Sequence, residues 1–281
     1  SLSLPLVYVQ DLVLSAHKEN VVYAVFNNHK NGDFKPYVYK STNGGKNWAS
    51  IASDLPERGT VYSLVEDPIN PDLLFAGTEF GMFFTLDGGE HWAQLKGGLP
   101  TIAVKDIAIQ ERENDLVIAT FGRGFYVLDN YSPLRELEYV LDQDAAFFST
   151  KPGLLFQRAN VGGIDYKGSQ HYRSKNPPMG VTFQLHIADG AARVKDERPE
   201  ANKDLPHYPT MDQLRAEDWE ESPYLLFVVK DEDGAEVARF TRGDFKGIQR
   251  FTWNAKYSSK ASINGNGEPK TNPGTTTFVK P

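Results

Sequence analysis

Ser41-Thr-Asn-Gly-Gly-Lys-Asn-Trp48 and Thr85-Leu-Asp-Gly-Gly-Glu-His-Trp92 are two copies of one pattern, S/T-x-D/N-x-G-x-x-W, set 44 residues apart. Each position has a task in a tight turn. Asn43 and Asp87 can accept hydrogen bonds from turn amides. Gly45 and Gly89 tolerate a positive φ. The hydroxyls of Ser41 and Thr85 can tie the turn ends, and Trp48 and Trp92 then fold back beneath the hairpin as buried anchors.

The turns belong to a longer period. Val9–Phe26, Val61–Thr78 and Val104–Phe121 align without a gap, each an apolar run, a polar turn carrying Asn and a second apolar run. Alternation and β-branched content predict two antiparallel strands, A and B. A third run follows each pair, at Tyr37–Ser41, Gly81–Thr85 and Gly124–Leu128, and the first two of these lead into the quoted turns. Four-stranded units of 43–44 residues predict propeller blades, because a lone blade leaves apolar faces that only neighbouring blades cover. In the third unit the turn has decayed to Leu128-Asp-Asn-Tyr-Ser-Pro133, with no Trp following. The expected fold is all-β: two full blades and a partial third. A ring takes about four to eight blades. Ser1–Pro5 matches the end of a fourth strand, so residue 1 is expected to fall inside a longer chain, a curved three-blade sheet being the alternative. The expected partners are further blades of the parent chain or of a neighbouring chain.

After Tyr131-Ser-Pro-Leu134 the repeat stops. Residues 1–134 are therefore read as blades, 135–179 as a connection and 180–281 as a β-sandwich. Strand-like runs occur at Gly180–Ile187, Tyr224–Lys230, Val237–Thr241, Ile248–Trp253 and Thr275–Val279. A charged helical insertion, about residues 192–221, contains Met211–Trp219.

The quoted turns resemble the Asp box of sialidase, sortilin and related propeller families, also called the BNR repeat. Lys246–Asn254 is similar to a late strand of the FlgD-type, immunoglobulin-like modules that follow such propellers. The resemblance to large sortilin-like proteins covers about residues 5–135 closely and 145–281 loosely. It implies an extracytoplasmic protein. Many relatives carry a glycosyl-hydrolase label on repeat content alone, and function has to be argued from a site.

Totals exclude several classes. A net charge of −7 argues against a nucleic-acid binder, and no apolar run approaches the roughly 20 residues of a membrane span. The absence of cysteine excludes disulfides and thiolate metal sites. His17, His29, His91, His171, His186 and His207 never pair at metal-ligand spacing. Gly162-Gly163 lacks the Lys-Ser/Thr of a phosphate loop, and no nucleophile elbow occurs. Neither metal nor cofactor is expected.

Propeller geometry puts the quoted turns and A–B turns on one face, and the B–C and D–A loops around the opposite channel mouth. The first B–C loop, Asn27–Pro36, is eight residues longer than its counterpart and makes Asn28, His29 and Lys30 candidate ligand contacts. Glu57, Arg58, Glu79, Phe80 and Arg123 join them from neighbouring loops. Arg123 could reach a carboxylate or sugar hydroxyl, or pair with Asp106. Asp11 and Asp106, at equivalent A-strand positions, are candidate glycosidase carboxylates or repeated structural hydrogen bonders. The leading expectation is a binding or scaffold module for a glycan or extended polypeptide. A glycoside hydrolase with carboxylates partly on other blades is the alternative.

Overall fold

The computed structural model describes residues 7–156, 174–201, 209–243 and 245–256. The chain forms two compact units, Ser1–Glu138 and Tyr139–Pro281.

In the first unit, β1 (Tyr8–Leu14), β2 (Val22–Asn28), β3 (Asp33–Ser41) and β4 (Ala49–Ser50) make a four-stranded sheet in chain order. The same arrangement recurs in β5 (Val61–Glu66), β6 (Leu74–Thr78), β7 (Gly81–Thr85) and β8 (Ala93–Leu95). A third sheet has β9 (Val104–Gln110), β10 (Asp115–Thr120) and β11 (Phe125–Leu128). All neighbours are antiparallel. These are blades of a partial propeller, with β5 packed between the inner strands β1 and β9.

Blade stacking supplies the core. Tyr23, Val25 and Val38 of the first blade pack with Leu64, Leu74, Phe83 and Trp92 of the second. Phe75 and Met82 then meet Val104, Leu116, Ile118 and Tyr131 on the other side. Burying such side chains is worth about 1.5–3 kcal/mol each. The outward faces end differently: Leu14 is 73% exposed and Phe125 76%.

The signature turns are built as their residues dictate. Ser41 Oγ accepts from the Gly45 amide at 2.9 Å, and Thr85 Oγ1 from the Gly89 amide at 3.1 Å. Asn43 Oδ1 accepts from Asn47 N, while Asp87 Oδ1 accepts from Glu90 N and His91 N. Gly45 and Gly89 have φ of 85° and 107°. The two tryptophans are not equivalent. Trp92 is buried and donates from Nε1 to Ile51 O of the preceding blade at 2.8 Å. Trp48 is half-buried and turns its N–H back to Gly45 O at 2.9 Å. The expectation that both are buried alike thus holds for Trp92 alone, because only Trp92 reaches a preceding sheet.

One main-chain bond recurs in all three blades: Gly44 N to Asn20 O, Gly88 N to Asp72 O and Tyr131 N to Asn114 O, each 2.8–2.9 Å. The third blade keeps it without the signature. Tyr131 buries its ring edge-on to Phe75 at 5.2 Å and donates its hydroxyl to Asp67 Oδ2 at 2.7 Å. Arg135 completes the cluster, donating to both oxygens of the fully buried Asp67 and to Asn114 Oδ1.

The chain leaves the blades through α1 (Leu137–Leu141). In the second unit β12 (Ala145–Phe147) pairs with β13 (Val181–Ile187), so the expected connection already holds a strand. Three residues are too short to show a period. Among its described residues the charged insertion forms two helices, α2 (Val194–Ala201) and α3 (Met211–Trp219), the latter started by a Thr210–Gln213 capping box. Next come β14 (Tyr224–Lys230), β15 (Glu236–Gly243) and β16 (Gly247–Trp253). Strand β16 joins β12 and β13, while β14 and β15 form a hairpin. Phe251 and Phe183 of the larger sheet stack at 5.5 Å, and Phe227 of the hairpin lies 4.5 Å from Phe251. Two small sheets joined by aromatic packing are what the structure shares with the expected sandwich. Thr275–Val279 lies outside the described residues.

Candidate functional site at the B–C turns

Each inner strand carries a register shift at the same place: between Val9 and Asp11, between Val61 and Ser63, and between Val104 and Asp106, opposite Ala119 and Thr120. The unopposed residues are Gln10, Tyr62 and Lys105. A bulge re-aims the side chain of its extra residue, and here it brings Tyr62 and Lys105 together. Lys105 Nζ lies 3.2 Å from the Tyr62 ring centroid and 5.6 Å from that of Phe121. The approach depends on Gly77, where an added Cβ would lie 2.8 Å from Val104 Cγ1.

Turns of the second and third blades complete the cluster. Tyr62 donates its hydroxyl to Glu79 Oε2, and burial followed by that bond pushes the phenol well above its ordinary range. Burial lowers the Lys105 ammonium, with Glu79 opposing. Beside them Phe80 is 46% exposed and Phe121 71%. Arg123, in the turn Phe121-Gly-Arg-Gly124, is exposed and makes no ion pair among the described residues. The expected Arg123–Asp106 pair does not form.

The two candidate carboxylates flank β5. Asp11 accepts from Leu12 N and, across to the second blade, from Leu64 N at 3.1 Å. Asp106 accepts from Ile107 N at 2.9 Å and, at 3.5 Å, from Ser63 Oγ. Both therefore fasten adjoining strands.

The enlarged first B–C loop is more ordered than its composition suggests. β2 runs through Asn28, a 3₁₀ turn spans His29–Asn31, and β3 already begins at Asp33. Asn28 is buried, its amide engaged by Asp33 and Asn31. His29 bonds Asn27. Tyr37 donates to Asp33 Oδ2 at 2.5 Å, which holds the Asp33 carboxyl low and pushes the Tyr37 phenol up to about 12. Lys30 remains exposed, 4.6 Å from the Tyr8 ring centroid. Arg58 covers Phe34 at 6.0 Å, and with Glu57 these residues border an open groove of about 750 Å³. Of the expected contacts, Glu79 meets the Tyr62 hydroxyl beside Lys105, Phe80 and Arg123 stand exposed on their turns, and Glu57 and Arg58 border the groove. Tyr62 and Lys105 lie outside that expectation, while Phe121 enters with the turn that carries Arg123. The one sequence signal for the first two is the break in alternation there.

On the opposite face Asp87, Glu90 and His91 bring ligand-type atoms together. The Asp87 carboxylate is already engaged by Thr85, His91 and two amides. No helix among the described residues is long and apolar enough to cross a membrane.

No family model matches the chain, and no curated protein does. Among solved structures it is similar to an ancestral GH74 enzyme, at 28% identity over 41% of this chain and 14% of that one, with a TM-score of 0.34. It is also similar to the GH74 xyloglucanase from Xanthomonas campestris, at 13% identity over 39% and 18%, TM-score 0.31. YCF48 bound to D1 peptide matches at 15% identity over 47% and 38%, TM-score 0.35. The chain thus spans well under half the length of each of them.

Proposed function

We propose that this chain is an extracytoplasmic binding module whose B–C side recognises a glycan. The observation that supports it most is the cluster of Tyr62, Glu79, Lys105 and Phe121, with Phe80 exposed next to Glu79 in the chain, which offers exposed rings beside charged groups. The C–H groups of a sugar ring carry partial positive charge and suit the negative face of an aromatic ring. Flanking polar groups then fix the hydroxyls. Asp11 is engaged by two main-chain amides, one of them across to the second blade, and Asp106 by the amide of Ile107, which favours binding over hydrolysis. The extracytoplasmic setting rests on the sortilin-like resemblance of the turns.

A glycan array with a parallel extended-peptide library tests the reading, using the chain and its Phe80→Ala and Phe121→Ala variants. Glycan retention without turnover, lost in both variants while circular dichroism is unchanged, is the expected result. Retention of peptides alone would replace the glycan by a polypeptide, and release of reducing sugar would favour the hydrolase.

A further inference from the structure

The two open faces of the blade stack use the same positions that the stack buries elsewhere. Counted from the bulge of each inner strand, Val9, Val61 and Val104 are equivalent, and so are Leu12, Leu64 and Ile107. Val61 and Leu64 are buried against the first blade, Val104 and Ile107 against the second. Val9 is 65% exposed and Leu12 60%. The far side behaves alike. Val38, Met82 and Phe125 lie opposite Val25, Gly77 and Ala119, and so hold one position on β3, β7 and β11. Val38 and Met82 are buried in the contact with the next blade, whereas Phe125 is exposed. Each open face is therefore continuous in kind with the two interfaces already formed, and a blade is what fits it.

One polar group narrows the kind of blade. Asp11, Ser63 and Asp106 hold the first position after the bulge. Asp11 accepts its own Leu12 amide at Oδ1 and the Leu64 amide of the next blade at Oδ2. Leu64 can make that bond because Ser63 beside it brings no carboxylate. Asp106 accepts its own Ile107 amide at Oδ1, and its Oδ2 makes no hydrogen bond among the described residues. The amide that suits this oxygen belongs to a blade with an uncharged residue at the Ser63 position. A second copy of this chain does not meet the condition. Its Leu12 amide is taken by Asp11, and its Asp11 carboxylate would approach Asp106 as Ser63 Oγ does, at 3.5 Å. Like charges so placed oppose docking.

The sequence points to the source of the blades. Leu55-Pro56 and Leu99-Pro100 each stand between a fourth strand and the next inner strand, with Leu55 buried between the first and second blades. Leu4-Pro5 repeats the pair, four residues from Pro to Val as at Pro100 and Val104. We infer that both open faces are docking surfaces for further blades of the same polypeptide. The blade against the third sheet carries an uncharged residue facing Asp106, and Asp11 turns away a second copy.

The chain has no cysteine, so Leu12→Cys and Phe125→Cys are single-thiol probes of the two faces. Maleimide should label each quickly in the 281-residue chain, where both side chains are exposed. In the polypeptide lengthened by its own upstream coding sequence, labelling of both should slow at least about tenfold, the factor for burying one such side chain. Unchanged labelling of either thiol overturns the docking of a blade on that face. Sedimentation velocity tests the second copy. The 281-residue chain should remain monomeric. Asp106→Asn, which keeps an acceptor for the Ile107 amide, and Asp11→Ser should each associate head to tail with near-ultraviolet dichroism preserved. Adding Phe125→Asp should return both to monomers. An unaltered chain that dimerises, and loses the dimer on Phe125→Asp, makes a second copy the occupant and overturns the inference. Two variants as monomeric as the unaltered chain overturn the role given to the paired acids.

Discussion

Replacing Asp67 by alanine is expected to destabilise the first unit more than any other single change at its polar positions. Asp67 has no solvent exposure, and its oxygens accept from Tyr131 Oη, Arg135 Nε and Nη2, Ile69 N and Asn70 N, at 2.6–3.0 Å. The Arg135 side chain is only 12% exposed, so truncation strands a cation away from water. Breaking a buried pair in this way costs about 3–5 kcal/mol. Tyr131→Phe removes one donor to a charged acceptor and should cost about 1.5–3 kcal/mol. Urea unfolding can be followed by fluorescence of Trp48 and Trp92 in a Trp219→Phe, Trp253→Phe background. In a cycle with Arg135→Ala, the double variant should lose clearly less than the sum of the singles. Burial alone would raise the Asp67 carboxyl, but Arg135, Tyr131 and the two turn amides hold it below the usual range. Its contribution is therefore full above the unfolded value of about 4 and lost as pH falls through the lower folded value. A loss under about 1 kcal/mol for Asp67→Ala, the size of an exposed pair, would refute the reasoning.

Trp92→Ala should cost about 3–5 kcal/mol and Trp48→Ala distinctly less, since only Trp92 is locked into the preceding blade; equal losses in urea unfolding would contradict the packing described. The Asp87 carboxylate raises the pKa of the exposed His91 imidazole, first through their 2.7 Å hydrogen bond. Proton NMR of Asp87→Asn, which mimics Asn43, should return His91 toward its ordinary value with the turn intact. That pair stabilises fully below the unfolded imidazole value of about 6.5 and fades as pH rises through the higher folded one. Gly77→Ala would drive a methyl against Val104, costing about 1–3 kcal/mol; amide exchange in β9 should speed up, and unchanged exchange would dispose of the close approach.

The blades were legible because their signals are local and repeated. Val-to-Val spacing and the S/T-x-D/N-x-G-x-x-W turns report hydrogen bonds closed within a few residues, as Ser41 with Gly45 shows. Eight extra residues marked the enlarged first hairpin, although polar composition suggested a loop where Asn28 and Asp33 in fact pair. The bulges were not legible. A one-residue slip at Tyr62 or Lys105 leaves composition unchanged and only interrupts an alternation that is already short. The Asp67–Arg135 cluster joins residues 68 apart in sequence, one of them beyond the last repeat, so no period announces it. Tyr131 read as the loss of a turn, whereas its hydroxyl and ring give it a place in the core.

The amide-to-carbonyl bond that closes each blade onto its A–B turn has a consequence for how such a chain can change over generations. Gly44, Gly88 and Tyr131 make the same bond although their side chains share nothing, because the donor and acceptor are main-chain atoms. Gly44 and Gly88 make it at φ of 67° and 73°, where glycine is favoured, but once some other residue anchors the interface, as Tyr131 does for the third sheet, the corner keeps the bond without the motif. Turn motifs will then vanish from the text of a gene faster than blades vanish from the protein. Counting motifs undercounts blades, and lineages descended from such a sequence could keep the architecture after losing every recognisable copy.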